Sequence, residues 1–269
     1  MSELIKVVVV GAAGKMGMEV VRAVSAASDM ELVGAVDRPD EPTRTTQLCG
    51  KDVTDLAIDS KLGEVLDRTT PDVMIDFTQA ASAPEHAISA LKRKVSPIIG
   101  TSGLGSSEVA TLRQATRELQ TPAALIPNFA IGAVLMMRFA EMAAQWMPHV
   151  EIIDYHHAGK LDSPSGTALH TAERISKVRG EVTQMGRSAQ NDKHPGARGA
   201  KVKDLHLHSV RLPGLVAHQD VIFGGNGELL TIRHDSLDRK SFMDGVLLSV
   251  RKIRSQEGFI IGLDELMFE

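Results

Sequence analysis

Apolar positions in the first half of the chain alternate between short continuous runs and stretches with helical spacing. The runs are rich in Val and Ile, as expected for strands that are buried on both faces. The predicted strands are Leu4–Val10, Met30–Val36, Val73–Phe77, Val95–Ile99 and Ala123–Ile126. The predicted helices are Lys15 to about Ala27, Pro84–Lys94 and Ser106–Leu119. This alternation predicts an α/β domain of Rossmann type with a doubly wound parallel sheet.

The pattern changes after Asn128, where strands become closely spaced. The predicted elements are a long helix and a strand, a second helix, three strands and a closing helix: Ile131–Trp146, Val150–Tyr155, Pro164–Ile175, Leu205–Leu212, Leu215–Phe223, Glu228–His234 and Lys240–Ile253. Pro213-Gly214 and Gly224–Gly227 separate the three strands and predict antiparallel hairpins. The polar segment from Gly180 to Ala200 predicts a long loop.

These patterns predict two domains. Residues 1–127 form a dinucleotide-binding domain, and residues 128–236 form an α+β domain for substrate binding and oligomerisation, with a mixed, largely antiparallel sheet. The segment 237–269 is expected to pack back on the first domain.

Composition narrows the class of protein further. The chain has 269 residues, of which 43% are hydrophobic and 24% charged, as in globular proteins. A net charge of −4 gives no support for nucleic-acid binding. No run approaches the ~18 apolar residues of a membrane span, and the N-terminus has no signal-peptide pattern. The single cysteine, Cys49, is typical of a reducing compartment, so we expect a cytoplasmic protein without membrane or nucleic-acid partners.

A glycine-rich turn lies between the first strand and the first helix, where a dinucleotide fingerprint belongs. The turn reads Gly11-Ala12-Ala13-Gly14-Lys15-Met16-Gly17. Such glycines let a pyrophosphate approach the N-terminus of the helix. Asp37 ends the second strand and would accept the adenosine ribose hydroxyls, whereas Arg38 could meet a 2′-phosphate. The choice between NADH and NADPH therefore stays open.

Polar turns follow the three later strands of this domain. They are Asp76–Thr78, Gly100–Gly103 and Ile126–Phe129. Because the carboxyl ends of parallel strands meet at one edge of the sheet, these turns predict a groove for ribose and nicotinamide.

The segment from His156 to Thr167 combines two imidazoles, His156 and His157, with the ammonium of Lys160. Imidazole titrates near neutral pH, so these residues are candidate proton donors. Adjacent strand residues point to opposite faces, so at most one of the two histidines is expected to face a given pocket.

The same segment predicts a helix start. Ser163 is the predicted N-cap and Pro164 the first helical residue, which leaves the amides of Ser165, Gly166 and Thr167 without intrahelical acceptors. These amides and Lys160 predict a pocket for a small acid that becomes protonated. A plain helix cap remains the structural alternative.

Taken together, the two halves resemble the 4-hydroxy-tetrahydrodipicolinate reductase (dihydrodipicolinate reductase) family over essentially the whole length. The motifs that carry the resemblance are Val10–Gly17, Asp76–Thr78, Ile99–Gly103, Pro127–Phe129, Glu151–His157, Lys160 and Pro164–Ala168. The resemblance implies NAD(P)H-dependent reduction of a cyclic imine dicarboxylate in lysine and diaminopimelate biosynthesis. It also implies a homotetramer built through the sheets of the second domain.

The resemblance implies a role for each matching residue. His156 would donate or accept the proton, and Lys160 would be a second proton donor. The substrate-binding positions are His157, Ser165, Gly166 and Thr167. The cofactor-binding positions are Gly11, Ala12, Ala13, Gly14, Lys15, Met16, Asp37, Arg38, Gly100, Thr101, Ser102, Ile126, Pro127, Asn128 and Phe129. The family often has Glu where Asp154 stands, and the role of His218 stays open.

Two other functions compete with this interpretation. Another two-domain NAD(P)-dependent reductase of a small amino or oxo acid would share the first domain without needing the block from His156 to Thr167. A non-catalytic dinucleotide sensor would keep the glycine turn but lose the proton donors, which this chain retains. His206 and His208 share a strand face, but no third ligand is evident, so no metal site is expected.

Overall fold

The structure is a computed structural model that describes residues 3–38, 41–101, 103–179 and 193–268. In chain order, the strands are β1 (Ile5–Val10), β2 (Met30–Val36), β3 (Ile58–Asp59), β4 (Val73–Asp76), β5 (Ser96–Ile99), β6 (Ala123–Leu125), β7 (His149–His156), β8 (Ala200–Val202), β9 (Leu205–Arg211), β10 (Ala217–Gly224), β11 (Leu229–Ser236) and β12 (Phe259–Ile261). The helices are α1 (Lys15–Ala26), α2 (Thr45–Cys49), α3 (Leu62–Thr69), α4 (Ala83–Leu91), α5 (Ser106–Leu119), α6 (Ile131–Ala144), α7 (Gly166–Val178), α8 (Met243–Ile253) and α9 (Leu263–Met267). Contacts divide the chain into two units, residues 1–130 with 239–269 and residues 131–238.

The first unit is built on a seven-stranded sheet of order β12-β6-β5-β4-β1-β2-β3. Its strand pairs are all parallel. Val7, Val8 and Val9 of β1 have no exposed surface, as expected for a central strand that is buried on both faces. The strand order reverses between β1 and β4, and such a switch point is where open α/β sheets bind ligands. The predicted parallel α/β sheet is confirmed.

Helices bury this sheet in two apolar clusters. One cluster joins β1 and β4 to α3 through Val8, Met74, Val65 and Leu66. The other joins β5 to α4 and α5 through Ile99, Leu91 and Leu112. The strand ends are thereby held in fixed positions.

The second unit contains a five-stranded sheet of order β11-β10-β7-β9-β8. β10 pairs antiparallel with both β11 and β7, β7 pairs parallel with β9, and β8 pairs antiparallel with β9. Helices α6 and α7 pack on the face that carries Ile152 and Asp154, and both of these residues are buried. Ile153 and Tyr155 lie on the opposite face and are partly exposed. The predicted mixed, largely antiparallel sheet is confirmed.

One of the two predicted hairpins is wrong. β9 and β10 are joined through Pro213-Gly214, but β7 lies between them and pairs with both. A Pro-Gly turn indicates that the chain changes direction, but it does not determine which strands pair. The second hairpin is confirmed, because β10 pairs with β11 and Gly225 N donates to Glu228 O at 2.9 Å.

Short elements are the main ones that the sequence patterns do not predict: α2, β3, α3, β8, β12 and α9. The closing helix α8 begins at Met243 rather than Lys240, after a 3-10 turn at Arg239–Phe242. Of the predicted loop, residues 180–192 lie outside the described residues, and Ala200 already belongs to β8. No helix in the described part of the chain has the length and hydropathy of a bilayer-spanning segment.

Candidate functional site

The glycine-rich turn between β1 and α1 leaves the start of the helix uncapped. Gly11 has a φ of +81°, and a Cβ built on it would lie 2.7 Å from the carbonyl oxygen of Phe77. A Cβ built on Gly17 would overlap the carbonyl oxygen of Gly11, so only glycine lets α1 approach the turn this closely. The N-cap is Gly14, and no side chain caps the helix. Uncapped amides at a helix start bind phosphate groups, so the turn fits a pyrophosphate.

A cavity of about 500 Å³ lies beside this turn, at the ends of β1, β2 and β4. Its volume is in the range of cofactor sites. The predicted cofactor residues that line it are Gly11, Gly14, Asp37 and Arg38. Phe77 and Thr78 of the predicted polar turn Asp76–Thr78 also line it, as do residues without a predicted role: Ser60, Leu62, Gln79, Ala81, Ser82 and His86.

Two backbone amides hold the carboxylate of Asp37. Its Oδ2 accepts from Ala13 N at 2.7 Å, and its Oδ1 accepts from Arg38 N at 2.7 Å. The contact with Ala13 ties the end of β2 to the glycine-rich turn. Each carboxylate oxygen of Asp37 can still accept a hydrogen bond from a ribose hydroxyl. The exposed Arg38 is the next residue in the chain. This pair fits an adenosine ribose with or without a 2′-phosphate.

Asp76 is a buried carboxylate that organises the end of β4. Its Oδ1 accepts from the amide and hydroxyl of Thr78 at 2.8 and 2.6 Å and from the hydroxyl of Thr101 at 3.3 Å. Its Oδ2 lies 2.8 Å from Nδ1 of His86 on α4. Because Nδ1 is engaged by the carboxylate, Nε2 is the nitrogen that can meet a ligand in the cavity. No local sequence signal identifies His86, since its approach to Asp76 depends on how α4 packs on the sheet.

The other predicted cofactor residues lie in the turn itself or at the ends of β5 and β6. Ala12, Ala13, Lys15 and Met16 belong to the turn and the first turn of α1. Gly100 packs against the ring of Phe77, where a Cβ would overlap it, and the Phe129 ring lies 5.4 Å from that ring. The buried or partly buried members are Thr101, Ile126 and Asn128, whereas Pro127 is exposed. Ser102 lies outside the described residues.

In the second unit, the buried carboxylate of Asp154 contacts groups from several elements. Its Oδ1 accepts from Ser209 Oγ at 2.5 Å, and its Oδ2 accepts from Arg211 Nη2 at 3.0 Å and from Ser165 N at 3.3 Å. His156 Nδ1 lies 3.1 Å from Oδ2 but without hydrogen-bond alignment, so this is a close ionic contact when the imidazole is protonated. One carboxylate therefore joins the predicted proton donor, an arginine and the start of α7.

The charge of Asp154 is strongly favoured by its surroundings. Burial by itself would raise the pKa of this carboxyl. The contacts with His156, Ser209 and Arg211 outweigh burial and lower the pKa from 3.8 to about 2. Asp154 is therefore a negative charge beside the imidazole at every pH near neutrality.

Helix α7 begins at Gly166, later than the sequence predicts. Ser165 is the N-cap, because its Oγ accepts from Ala168 N at 3.2 Å, whereas Ser163 and Pro164 lie in a bend before the helix. The predicted cap at Ser163 and first helical residue at Pro164 are wrong, since two serines of similar cap preference stand two positions apart. The amide of Ser165, predicted to be open, is bound to Asp154. Gly166 remains exposed, and nothing lies within 4 Å of a Cβ built on it.

Lys160 is paired within its own loop. Its Nζ lies 2.7 Å from Asp162 Oδ1, and this hydrogen bond lowers the pKa of the Asp162 carboxyl. The carbonyl oxygen of Asp162 accepts from Arg211 Nη2 at 2.9 Å. The structure therefore brings His156, Lys160 and Ser165 into one polar network around Asp154 and Arg211. The predicted substrate residue His157 is exposed just after β7.

Two further histidines of the sheet, His208 and His218, are paired with carboxylates. His208 Nε2 lies 2.8 Å from Glu151 Oε2, and His218 Nδ1 lies 2.6 Å from Asp235 Oδ1. His218 Nε2 also accepts from Val216 N at 3.1 Å, so this residue fixes the chain before β10. Among the described residues, no group of three or more His, Cys, Asp or Glu side chains is placed to hold a metal ion.

Sequence comparison relates both units to one family. The family described as "Dihydrodipicolinate reductase, N-terminus" matches residues 5–129, and "Dihydrodipicolinate reductase, C-terminus" matches residues 132–267. The chain belongs to the dihydrodipicolinate reductase family. Relatives named 4-hydroxy-tetrahydrodipicolinate reductase from Desulfitobacterium hafniense and Moorella thermoacetica are each 46% identical, with 98% of this chain and 98% of the relative covered. The family resemblance of the sequence motifs is confirmed.

A solved structure agrees with this dihydrodipicolinate reductase assignment. A dipicolinate-bound dihydrodipicolinate reductase from Paenisporosarcina sp. TG-14 is 39% identical with a TM-score of 0.86, covering 97% of this chain and 99% of that one. A probable dehydrogenase from Thermotoga maritima has a TM-score of 0.67 at 12% identity, covering 97% of this chain and 92% of that one, which shows a shared fold alone.

Proposed function

We propose that this chain catalyses the NAD(P)H-dependent reduction of 4-hydroxy-tetrahydrodipicolinate to tetrahydrodipicolinate in lysine and diaminopimelate biosynthesis. The observation that carries the proposal is the polar network at the end of β7, where His156 lies 3.1 Å from the buried carboxylate of Asp154. Two further findings support the substrate class. Relatives across the whole chain bear this enzyme name, and a related structure holds dipicolinate, a cyclic dicarboxylate.

The first unit provides the nucleotide site in this proposal. The turn from Gly11 to Gly17 binds the pyrophosphate, and Asp37 and Arg38 bind the adenosine ribose of NADH or NADPH. The nicotinamide half is bound by Gly100, Thr101, Ser102, Ile126, Pro127, Asn128 and Phe129. When bound, the reduced nicotinamide supplies a hydride.

The second unit binds the dicarboxylate and supplies the proton. Lys160 and the start of α7, at Gly166 and Thr167, bind the carboxylates, while Ser165 caps that helix and His157 lies beside the loop. Loss of water from the substrate leaves a conjugated C=C–C=N system. Hydride addition at its carbon end leaves an enamine anion, and His156 donates the proton that neutralises this anion while the two carboxylates stay ionised. Lys160 is a second donor.

We further propose that the enzyme is a cytoplasmic homotetramer assembled through the sheet of the second unit. Edge strand β11 leaves Leu229 77% and Leu230 40% exposed. Ile153, Tyr155 and Ile222 are partly exposed on the sheet face opposite α6 and α7. Apolar edges and faces of this kind favour association with further copies of the chain. The free thiol of Cys49 supports a reducing compartment.

The test follows oxidation of NADH and of NADPH with substrate formed in situ from pyruvate and aspartate semialdehyde. We expect turnover with both nucleotides. In His156→Gln, kcat should fall about 100- to 1000-fold because the general acid is lost, while nucleotide affinity stays within about twofold. His170→Gln is the matched control, since His170 is 55% exposed on α7 and should retain the wild-type rate. If the enzyme turns over with neither nucleotide, the proposed function is contradicted. If His156→Gln is fully active, the role of His156 as proton donor is contradicted.

A further inference from the structure

Asp154 and Arg211 are placed to control the imidazole of His156. Asp154 is 1% exposed and lies two positions before His156, on the same face of β7. Arg211 is the β9 residue paired with His156 in the parallel register, and its guanidinium reaches the same Oδ2 atom that faces His156. The imidazole therefore lies beside a carboxylate whose charge is shared with a guanidinium.

The hydrogen bonds of Asp154 fix its position from several directions. Ser209 holds Oδ1 at 2.5 Å, and Arg211 and the amide of Ser165 hold Oδ2 at 3.0 and 3.3 Å. Arg211 is itself anchored, because its two terminal nitrogens donate to the carbonyls of Val210 and Asp162 at 2.8 and 2.9 Å. Because both of its oxygens are hydrogen-bonded, the carboxylate has a fixed position. It therefore stabilises the imidazole of His156 in one orientation.

Other ionisable groups lie near this end of β7. They follow the strand in the loop: His157, Lys160 and Asp162. On β10, the residues in register with His156 and Asp154 are Ala217 and Gln219, which carry no charge. Of these groups, Lys160 is already paired with Asp162 at 2.7 Å. Asp154 therefore provides a negative charge and Arg211 a positive charge beside the imidazole.

We propose that Asp154 is a positioning residue that orients the His156 imidazole for proton donation and stabilises its charged form, and that Arg211 moderates this effect by sharing the same carboxylate oxygen. The inference rests on the proposed function, since it concerns the proton that completes the reduction. A neighbouring negative charge favours protonated imidazole, and a neighbouring positive charge disfavours it. The two residues therefore act on the proton donor with opposite sign.

The test is the pH dependence of kcat/KM for the imine substrate at saturating nucleotide, because this quantity reports the acid of the enzyme–nucleotide complex before the imine binds. In Asp154→Asn, the alkaline limb of the pH profile of kcat/KM should move about one pH unit lower. The value of kcat/KM at the optimum should fall about 10- to 100-fold. Asp154→Glu keeps the negative charge, so its alkaline limb should lie within about 0.3 pH units of the wild-type limb. Arg211→Gln should move the limb to higher pH. If Asp154 had a purely structural role, the variants would have a lower kcat/KM, but the alkaline limb of their pH profile would lie at the wild-type pH.

Each failure can be distinguished from the others. An unchanged limb in Asp154→Asn overturns the inference, and if this variant does not fold, the absence of an upward shift in Arg211→Gln overturns it instead. If the wild-type chain has no turnover, the proposed function fails while the inference can still be measured. The imidazole C–H resonance of His156, assigned by its loss in His156→Gln, is then titrated by NMR in wild type, Asp154→Asn and Arg211→Gln. Titrations that coincide contradict the inference, and opposite displacements support it.

Discussion

At the residue scale, the ammonium of Lys160 has a competitor for the substrate within its own loop. Asp162 Oδ1 lies 2.7 Å from Lys160 Nζ, and the Asp162 side chain is 58% exposed. Lys160 is proposed to bind a substrate carboxylate, which presents the same chemical group as Asp162. Binding of the dicarboxylate therefore exchanges one carboxylate partner of Lys160 for another.

Removal of this competitor should tighten substrate binding. An exposed ion pair contributes about 0.5–1 kcal/mol, so Asp162→Asn should lower the KM for the dicarboxylate about two- to fivefold. The measurement is steady-state kinetics at saturating nucleotide. Asp204→Asn is the control, because Asp204 pairs with Lys201 on the surface of the same unit and should leave KM unchanged. A KM that rises in Asp162→Asn would mean that Asp162 assists substrate binding.

At the element scale, the nucleotide site depends on how closely α1 approaches the end of β1. The close packing of Gly17 on the carbonyl of Gly11 sets this approach. The uncapped helix start, the cavity and the Ala13–Asp37 contact lie at the same turn. A single side chain in this interface would push the helix away from the turn.

Gly17→Ala should therefore impair both stability and nucleotide binding. Overpacking of a buried contact costs about 1–3 kcal/mol, and displacement of the helix start should weaken NADH binding at least about tenfold. The measurements are thermal unfolding and isothermal titration with NADH. Gly63→Ala on α3 is the control, since its built Cβ would lie 3.4 Å from the flexible end of Arg93. This control should be neutral or stabilising by up to about 1 kcal/mol. NADH affinity of wild-type strength in Gly17→Ala would show that the packing of Gly17 is not required.

The features that could be predicted from sequence at this scale are those with a local cause. The apolar runs and the glycine-rich turn predict the parallel sheet and its nucleotide-binding turn, because burial and turn geometry act between near neighbours. The position of β7 between β9 and β10 has no local signal, since strand pairing joins residues far apart in sequence. For the same reason no local pattern predicts that Arg211 lies beside His156. Asp154 could have been found, because residues two apart on a strand share a face.

Other differences come from competition between similar local signals. Ser163 and Ser165 are both plausible caps, and the choice of Ser165 depends on where β7 and its Asp154 carboxylate lie. His86 reaches the nucleotide cavity only because α4 packs beside β4. Tertiary packing decides both cases.

At the scale of the whole molecule, the second unit leaves apolar surface that its own helices do not cover. α6 and α7 contact one face of the five-stranded sheet, while β11 forms an edge. An exposed edge strand has unpaired backbone groups that invite another strand. Assembly of copies through this sheet would bury both the edge and the open face.

The proposed tetramer can be tested through its mass. Light scattering during size-exclusion chromatography should give the mass of four 29.0 kDa chains for the wild type. Leu229→Glu should dissociate the assembly, because an unpaired charge is costly to bury, while the subunit itself should fold since this side chain is 77% exposed. Leu4→Glu is the matched control, because Leu4 is 43% exposed on the first unit and should leave the mass unchanged. A monomeric wild type contradicts the tetramer. A Leu229→Glu variant with the full tetramer mass would show that the interface does not include this end of β11.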